Sequence, residues 1–459
     1  MHRSPVTLGV LVWFAAAAAL SFEACSDAAT STPDPATDGG GVDANVPPGP
    51  TSDASPSAID ASDAATVADG GSDPCARLAP TPLAVTCAPG GGPCATQLSA
   101  GVGHVCALLS DKTVSCWGNN ADSECGRPSS EPFVQSPSPI LGLSGVTQLT
   151  SGWYHSCALV ATGEVRCWGR LGALGDGGPA PQPVTVSLPG VARRVVGGGY
   201  HTCAELTDGK VYCWGANDRA QSGKAPAPDD AGSFLPVVVP QLTSLADVCA
   251  FDVGGRFACG ADADGGTRCF GDNKNGELGR GADASVLPFD PTPGAVVGLP
   301  AATKSFRLGR SVAYGEAAVV DGELWTWGQN LKGEATPDTT SSPLLTPVRV
   351  SGFSEPVIAA GTGNSASCAL LASGAVACFG GASRGVLGQQ DDAGSFVRPT
   401  PVPGVADAVQ VVVGWIPFAC ALRKNGSVSC WGDNFYGQLG RAEDAGALPY
   451  SSTPAPVVF

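Results

Sequence analysis

The residues best suited to chemistry in this sequence are its 18 cysteines. Twelve of them form pairs in which the second cysteine follows the first by ten positions: Cys106 and Cys116, Cys157 and Cys167, Cys203 and Cys213, Cys259 and Cys269, Cys368 and Cys378, and Cys420 and Cys430. A turn lies midway in each pair, so the even separation places both cysteines on one face of a hairpin. Zinc sites use CxxC-type pairs, which the sequence lacks. We therefore predict six disulfides, one across each hairpin.

Cys25 follows a segment typical of an export signal. Arg3 supplies a positive charge, and residues 8–20 form an uncharged apolar run that is too short to span a bilayer. Residues 22–25 resemble a bacterial lipoprotein cleavage box, although Glu23 replaces the usual small or apolar residue. We predict a signal peptide over 1–24 and a lipid on Cys25; the alternative is ordinary cleavage nearby with Cys25 incidental. Both interpretations place the chain outside the cytoplasm, where disulfides are stable.

Five cysteines remain after these assignments. Cys75, Cys87, Cys94 and Cys125 allow two disulfides by three connectivities, which the sequence does not rank. Cys249 would then be a free thiol, and a buried, inert thiol is the simplest interpretation.

Composition and charge divide the chain into four segments. After the signal, residues 25–74 contain nine aspartates and no aromatic residue, lysine or arginine, which predicts a disordered acidic linker. Residues 75–94 form a cysteine-bearing lead-in, and residues 95–459 form the folded domain. The net charge of −16 disfavours nucleic acid as a partner. The 63 glycines and 39 prolines indicate short strands and many turns.

A block of glycines, aromatic residues and cysteines recurs seven times between Cys106 and Cys420, with a mean period of about 52 residues. Each block reads as three or four short strands, followed by a glycine-punctuated tail such as residues 431–440. This pattern predicts an all-β fold, a seven-bladed β-propeller, with a linear solenoid as the competing arrangement. The chain starts mid-period at 96–98 and ends on the strand around 456–458, so we expect its two ends to complete one blade together.

The fifth repeat departs from the others because Glu316 and Thr326 stand where the cysteine pair is expected. We therefore expect this blade to be the least stable one.

The repeated string His-x-Cys-Ala-Leu…Gly-x-Val-x-Cys-Trp-Gly-x-Asn-x-x-Gly-x-Leu-Gly resembles the regulator of chromosome condensation repeat family over 95–459. The resemblance implies a seven-bladed propeller. The family's eukaryotic founder is a nucleotide exchange factor for the GTPase Ran and binds chromatin. Export, an acidic linker and paired cysteines make this chain more similar to a secreted bacterial branch of the family. Fold alone does not determine function.

Three histidines, His104, His155 and His201, share one repeat position and invite a metal-site hypothesis. Phe257, Tyr314 and Phe418 stand at the corresponding positions of other repeats, which indicates a packing position instead. We predict no metal, no cofactor and no catalytic residues, since no nucleotide-binding or hydrolase motif occurs.

Trp153, Trp325 and Trp415 lie outside the regular tryptophan position of the repeat. Two interpretations stay open for them: exposed anchors for a partner, or packing against a neighbouring blade.

The loops after the tails carry acidic residues; the candidates for contact with a partner are Asp229, Asp230, Asp391, Asp392, Glu443 and Asp444. They predict an acidic face that attracts a basic protein or holds Ca²⁺ weakly, or else solvated loops that favour solubility.

Together these patterns predict a non-catalytic, monomeric binding scaffold outside the cytoplasm. It would be an outer-membrane lipoprotein or a secreted protein, in contact with the membrane only through its lipid, and its partner an extracellular or envelope protein. The alternatives are a secreted hydrolase or lyase with its site at the mouth of the propeller, or a propeller that inhibits an enzyme.

Overall fold

The computed structural model describes residues 83–170, 180–226, 233–239, 250–261, 266–281, 288–302, 305–311, 313–389, 397–441 and 449–459. All of them belong to the compact unit Gly70–Phe459. The predicted signal over 1–24, the linker over 25–74 and the lipidation site Cys25 lie outside these ranges. Among the described residues, no helix is long and apolar enough to cross a membrane.

The described residues form seven antiparallel sheets. The strands, blade by blade, are β1 Ala95–Ala100, β2 His104–Leu109, β3 Val114–Asn119 and β4 Phe133–Pro139; β5 Val146–Ser151, β6 His155–Val160, β7 Val165–Gly169 and β8 Ala180–Thr185; β9 Ala192–Gly197, β10 His201–Leu206, β11 Val211–Gly215 and β12 Ser233–Val238; β13 Ala250–Val253, β14 Phe257–Ala261, β15 Thr267–Asp272 and β16 Phe289–Ala295; β17 Phe306–Leu308, β19 Gly315–Val320, β20 Glu323–Gly328 and β21 Leu344–Arg349; β22 Val357–Thr362, β23 Ala366–Leu371, β24 Val376–Gly380 and β25 Val397–Pro401; β26 Ala408–Val413, β27 Phe418–Arg423, β28 Val428–Asp433 and β29 Tyr450–Val457. The short strand β18, Arg310–Ser311, pairs in parallel with β22, and a 3-10 turn covers Ser383–Gly385.

This arrangement confirms the predicted seven-bladed propeller. In each blade four consecutive strands pair in chain order, and the first three are short, apolar and largely buried. Alternation along such strands sends successive side chains to opposite faces of the sheet, where they meet the two neighbouring blades.

The expectation that the two chain ends share one blade is wrong. The first blade consists of β1–β4 and the seventh of β26–β29, each from one continuous segment. The side chain of Gln410 in β26 closes the ring, because it accepts from the Leu98 main-chain N–H at 2.8 Å and donates to the Leu98 carbonyl at 2.9 Å. Gln97 makes the same two contacts with Leu149 of the second blade, both at 2.9 Å. The ring therefore closes by the contact that also joins its first two blades.

At four described interfaces, a tryptophan of the third strand donates a hydrogen bond to the preceding blade. The indole N–H of Trp168 donates to the Glu124 carbonyl in the tail of the preceding blade at 2.8 Å, and Trp117 donates to the Gln438 carbonyl at 3.0 Å across the closing interface. Equivalent bonds join the Trp327 indole to the Glu277 carbonyl and the Trp431 indole to the Val386 carbonyl, both at 2.8 Å. These indoles are fully buried. The regular tryptophans thus form part of the core between blades.

The tail that follows the third strand is held by an asparagine. The Asn434 Oδ1 accepts the main-chain N–H of Leu439 at 3.1 Å, and the Asn273 Oδ1 accepts that of Leu278 at 3.2 Å. Gly437 adopts a φ of 79°, which a side chain would strain. The Asn, Gly and Leu of the repeat therefore define the turn, whereas the two residues between Asn and Gly differ from blade to blade.

The structure forms all six predicted hairpin disulfides. Their paired Cα atoms lie 4.0–4.1 Å apart, and each pair of cysteines is in direct cross-strand register. Cys87 also bonds with Cys94, which is one of the open connectivities. The expected second disulfide in the lead-in does not involve Cys125, because that cysteine is free and buried, with its thiol donating to the Asn119 carbonyl. Cys75 and Cys249 fall in parts of the chain that the structure leaves undescribed.

The fifth blade has a shorter hairpin than the sequence suggested. Val320 faces Glu323 across a two-residue turn, Asp321 and Gly322, so the partner of Thr326 is Ala317. Glu316 faces Trp327 instead. The prediction that Glu316 stands at a cysteine position was therefore wrong by one residue. Ala317 takes that position, because the turn of this hairpin is one residue shorter than in the other repeats.

The histidine positions are packing positions between blades. The His104 Nε2 lies 3.0 Å from the Ser156 hydroxyl, and the His155 Nε2 lies 2.7 Å from the Thr202 hydroxyl, each in the next blade. Cross-strand register places Gly315, not Tyr314, at this position in the fifth blade. Within the described ranges, no three His, Cys, Asp or Glu residues are grouped closely enough to hold a metal ion.

We predict that a disulfide at Ala317 and Thr326 stabilises the fifth blade. The double variant Ala317→Cys/Thr326→Cys closes a short loop, which should raise the free energy of unfolding by about 2–3 kcal/mol in its oxidised form. Urea denaturation of the oxidised double variant and of the oxidised wild type measures this difference, with the oxidised single variants Ala317→Cys and Thr326→Cys as controls. A double variant no more stable than its single variants would contradict the prediction.

We also predict that the buried histidines make the fold acid-sensitive. Burial lowers the pKa of His201 to about 3, so the folded state excludes a proton that the unfolded chain takes up below its ordinary pKa of 6.5. The contribution of neutral His201 to the free energy of unfolding is complete above pH 6.5. It falls by about 1.4 kcal/mol per pH unit as the pH drops towards 3. His201→Phe should make the measured slope smaller without abolishing it, because His104 and His155 are also buried with lowered pKa values. Phenylalanine fits this position, since Phe257 and Phe418 fill it in other blades and the facing residue Ala258 has no hydroxyl. Denaturation curves from pH 7 to pH 4 test it; unchanged pH dependence would rule the mechanism out.

Candidate protein-binding face

Two sets of loops emerge on the same side of the ring. Because the strands of a blade alternate in direction, the loops from first to second strand and from third to fourth strand share one side. The second set begins with the tails. We call this side the tail face.

Trp153 fills the centre of the ring. It lies in the second blade, yet its ring contacts Tyr200 of the third blade at 5.0 Å, Tyr314 of the fifth at 5.7 Å and Trp415 of the seventh at 5.9 Å. Side chains from such distant blades can meet only in the central channel. Trp153 is 5% exposed. For Trp153 the structure therefore favours packing over a role as an exposed anchor.

The other two irregular tryptophans are half-buried. Trp415 lies beside Trp153 at the centre of the tail face. Trp325 packs against the apolar cluster between the fourth and fifth blades, away from the channel. The structure thus brings Trp153 and Trp415 together and leaves Trp325 apart.

Main-chain hydrogen bonds around the channel hold the loops of the tail face. The Val102 N–H donates to the Trp153 carbonyl at 3.2 Å, and the Gly255 N–H donates to the Ala313 carbonyl at 2.9 Å. Across the closing interface, the Trp415 N–H donates to the Gly101 carbonyl at 3.2 Å. Each bond joins two neighbouring blades. The centre of the tail face is therefore a rigid platform.

The cavity beside this platform is small. It is lined by Tyr314, Glu316, Glu334 and Thr362, and its volume of about 10 Å³ accommodates about one water molecule. Burial raises the pKa of Glu316 well above its usual range, and the nearby Asp252 carboxylate adds to the effect. The site therefore has a perturbed carboxyl group without room for a substrate.

In each described tail, two residues follow the tail asparagine, or Ala382 in the sixth blade, and at least one of the two is exposed. We call them display positions; the described pairs are Ala121 and Asp122, Asp218 and Arg219, Lys274 and Asn275, Leu331 and Lys332, Ser383 and Arg384, and Phe435 and Tyr436. They project from turns whose flanking residues are buried. Sequence reasoning missed them, although the signal was present: they are the variable residues inside an otherwise regular turn motif.

Four successive blades carry a cation at a display position. We call these residues the cationic arc: Arg219, Lys274, Lys332 and Arg384. Further towards the centre, the guanidinium of Arg256 lies over the Tyr200 ring and that of Arg170 over the Tyr154 ring, both at 5.7 Å.

An aromatic patch lies at the junction of the seventh and first blades. It consists of Phe133, Phe435 and Tyr436, with ring centroids 5.6 Å apart for Phe133 and Tyr436 and 4.9 Å for Phe435 and Tyr436. Phe435 is 64% exposed and Phe133 45% exposed. Contiguous exposed aromatic side chains are typical of binding hot spots.

The acidic residues that the sequence suggests for partner contact lie outside the described residues. They are Asp229, Asp230, Asp391, Asp392, Glu443 and Asp444. The hypothesis of an acidic face that attracts a basic protein or Ca²⁺ stays a prediction.

Comparison with known proteins agrees with this geometry. The model of the regulator of chromosome condensation (RCC1) repeat matches residues 95–126, 146–170, 192–221 and 408–438. Human E3 ubiquitin-protein ligase HERC2 is 28% identical over 53% of this chain, which corresponds to 5% of HERC2. The ultraviolet-B receptor UVR8 of Arabidopsis thaliana is 26% identical over 75% of this chain and 66% of UVR8. The chain therefore spans less than two thirds of either relative.

Solved structures show the same fold. Human WBSCR16 superposes with a TM-score of 0.65 at 18% identity, over 76% of this chain and 94% of that protein. Prp20p of Saccharomyces cerevisiae gives a TM-score of 0.63 at 18% identity, over 80% of this chain and 88% of Prp20p. The described part of this chain is a seven-bladed β-propeller that carries regulator of chromosome condensation repeats.

Proposed function

We propose that this chain is an exported, non-catalytic protein-binding scaffold that uses its tail face to hold a partner at the cell surface or envelope. The observation that carries the proposal is the exposed aromatic patch on a rigid ring whose central channel is filled by Trp153. On the tail face, the filled channel leaves a broad outer surface rather than a pocket, and such surfaces suit proteins better than small molecules.

Related propellers support a binding role. The solved structure of Prp20p is described together with its binding to Gsp1p and histones, and another structure shows Kap60 bound to yeast RCC1. These partners belong to those proteins. For this chain we transfer only the class of activity, the recognition of another protein by a propeller of this fold.

The disulfides support the proposed location. Six of them are buried between strands, and their thiols would be reduced in most cytosols. The apolar segment over 8–20 and the lipobox-like residues at 22–25 supply a route of export and an anchor.

We predict that Cys25→Ser releases the protein from membranes. One lipid-modified cysteine is the only membrane contact that the proposal requires, so the variant should move from the membrane fraction to the soluble fraction of a bacterial host and lose incorporation of labelled palmitate. The variant Cys125→Ser is the matched control, because it removes a cysteine of the folded domain and should stay with the membrane. Membrane association of Cys25→Ser equal to that of the wild type would contradict the lipoprotein interpretation.

We predict that Phe435→Ala/Tyr436→Ala weakens partner binding. Loss of two clustered aromatic side chains should reduce capture from cell-envelope extract by about tenfold or more, since such residues dominate interface energies. Quantitative affinity capture with the full chain measures this effect.

The matched control is Leu141→Ala/Val297→Ala. These side chains are 66% and 54% exposed and lie in loops from fourth to first strand, on the opposite side of the ring. This control should leave capture unchanged. Loss of capture in the control together with full capture in the aromatic variant would place the function on the other face and refute the proposal.

A further inference from the structure

We infer that the tail face recognises an acidic, extended protein segment that carries an apolar anchor. The acidic residues would lie along the cationic arc, and the anchor would bind the aromatic patch. This inference rests on the proposed function and specifies the chemistry of the partner.

The cationic arc is pre-organised by the turns that carry it. The Asn217 Oδ1 accepts the Ser222 N–H at 3.0 Å, and the Asn330 Oδ1 accepts the Ala335 N–H at 3.1 Å. The same bond at Asn273 fixes the turn that contains Lys274. Equivalent turns on successive blades place the cations at regular intervals around the ring. A ligand that binds them therefore does not have to order the backbone of the protein.

The two lysines at the middle of the arc are available for a ligand. In the described part of the chain, neither the Lys274 nor the Lys332 ammonium group has a carboxylate within 4 Å. Both side chains are exposed. The neighbouring glutamates are buried and accept main-chain hydrogen bonds. The Glu277 carboxylate accepts the Asn275 N–H at 2.8 Å, and the Glu334 carboxylate accepts the Lys332 N–H at 2.6 Å. An approaching ligand meets the ammonium groups first.

The arginines at the two ends of the arc are held by ion pairs. Asp218 lies 3.8 Å from the Arg219 guanidinium and 3.1 Å from that of Arg256, so one exposed carboxylate serves two cations. The Arg384 guanidinium lies 3.0 Å from Asp433, whose side chain is 3% exposed. At the described display positions of these four blades, exposed cations therefore outnumber exposed anions, and this local excess favours an acidic ligand. The acidic residues predicted to attract a basic protein are a separate set, in the loops that follow the tails and lie outside the described residues.

The arc leads directly into the aromatic patch. Asp433, the ion-pair partner of Arg384, is two residues before Phe435, and Tyr436 follows. A Cβ on Gly103 would meet the Tyr436 ring at 3.1 Å and the Ile416 side chain at 3.4 Å, so a glycine lets these two side chains pack beneath the patch. The combined surface offers a row of charges that ends in an apolar site.

Fluorescence anisotropy with the full chain tests this inference. The first probe is a labelled peptide of about twelve residues, in which Glu and Ser alternate before a terminal Trp. The second lacks the Trp, the third has Lys in place of Glu, and the fourth is oligothymidine. We expect the first probe to bind most tightly, the second about tenfold more weakly, and the last two not to bind. Binding should weaken as NaCl rises from about 50 to about 300 mM.

Lys274→Glu/Lys332→Glu should weaken binding of the first probe by at least about tenfold, because two attractions become repulsions. The matched control is Lys112→Glu/Lys424→Glu, which makes the same charge change in exposed hairpin turns on the opposite side of the ring and should bind normally. In Phe435→Ala, the first two probes should bind equally.

Preferential binding of the Lys probe or of oligothymidine would overturn the inference, as would equal loss in both charge variants. Failure of the acidic probes while capture of an envelope protein still depends on Phe435 and Tyr436 would refute the acidic partner alone. Failure of that capture would instead refute the proposed function.

Discussion

The fold depends on the contact between neighbouring blades, because no blade can bury both faces of its sheet alone. The indole N–H of one blade donates to a tail carbonyl of the preceding blade, as Trp168 does to Glu124, and a fully buried aromatic side chain contributes roughly 1.5–3 kcal/mol through its apolar surface. The Trp117 bond to Gln438 repeats this contact at the closing interface. Four interfaces with this indole bond, together with the Gln410 contact across the closing interface, join the blades without a shared strand.

Closure of the ring determines where function can reside. Trp153 fills the channel, and main-chain bonds such as that from Gly255 to Ala313 fix the loops around it. In the tail turns at 434–439 and 273–278, Asn, Gly and Leu define the turn, and the two residues between Asn and Gly differ in type. Phe435 and Lys274 stand at equivalent positions of such turns and present quite different chemistry. The scaffold thus separates residues that build the ring from residues that meet a partner.

The periodic part of the structure was predictable, and the exceptions were not. The spacing of Cys157 and Cys167 predicted their disulfide, because a short hairpin leaves little geometric freedom. Ring closure was misjudged, since periodicity does not show at which strand a repeat begins. The two-residue turn at Asp321 moved Glu316 out of the cysteine register. The role of Trp153 depends on side chains from distant blades, and the aromatic patch joins Phe133 to Tyr436 across the two ends of the ring; one sequence does not reveal such long-range contacts.

The proposed function requires that the tail face is the binding surface. Hydrogen–deuterium exchange of the full chain with its captured envelope partner tests this, since it reports which amides the partner protects. We expect protection in the turns at 272–278, 330–335, 382–385 and 433–439, with unchanged exchange in the hairpin turns at 110–113 and 424–427. Protection confined to those hairpin turns would contradict it.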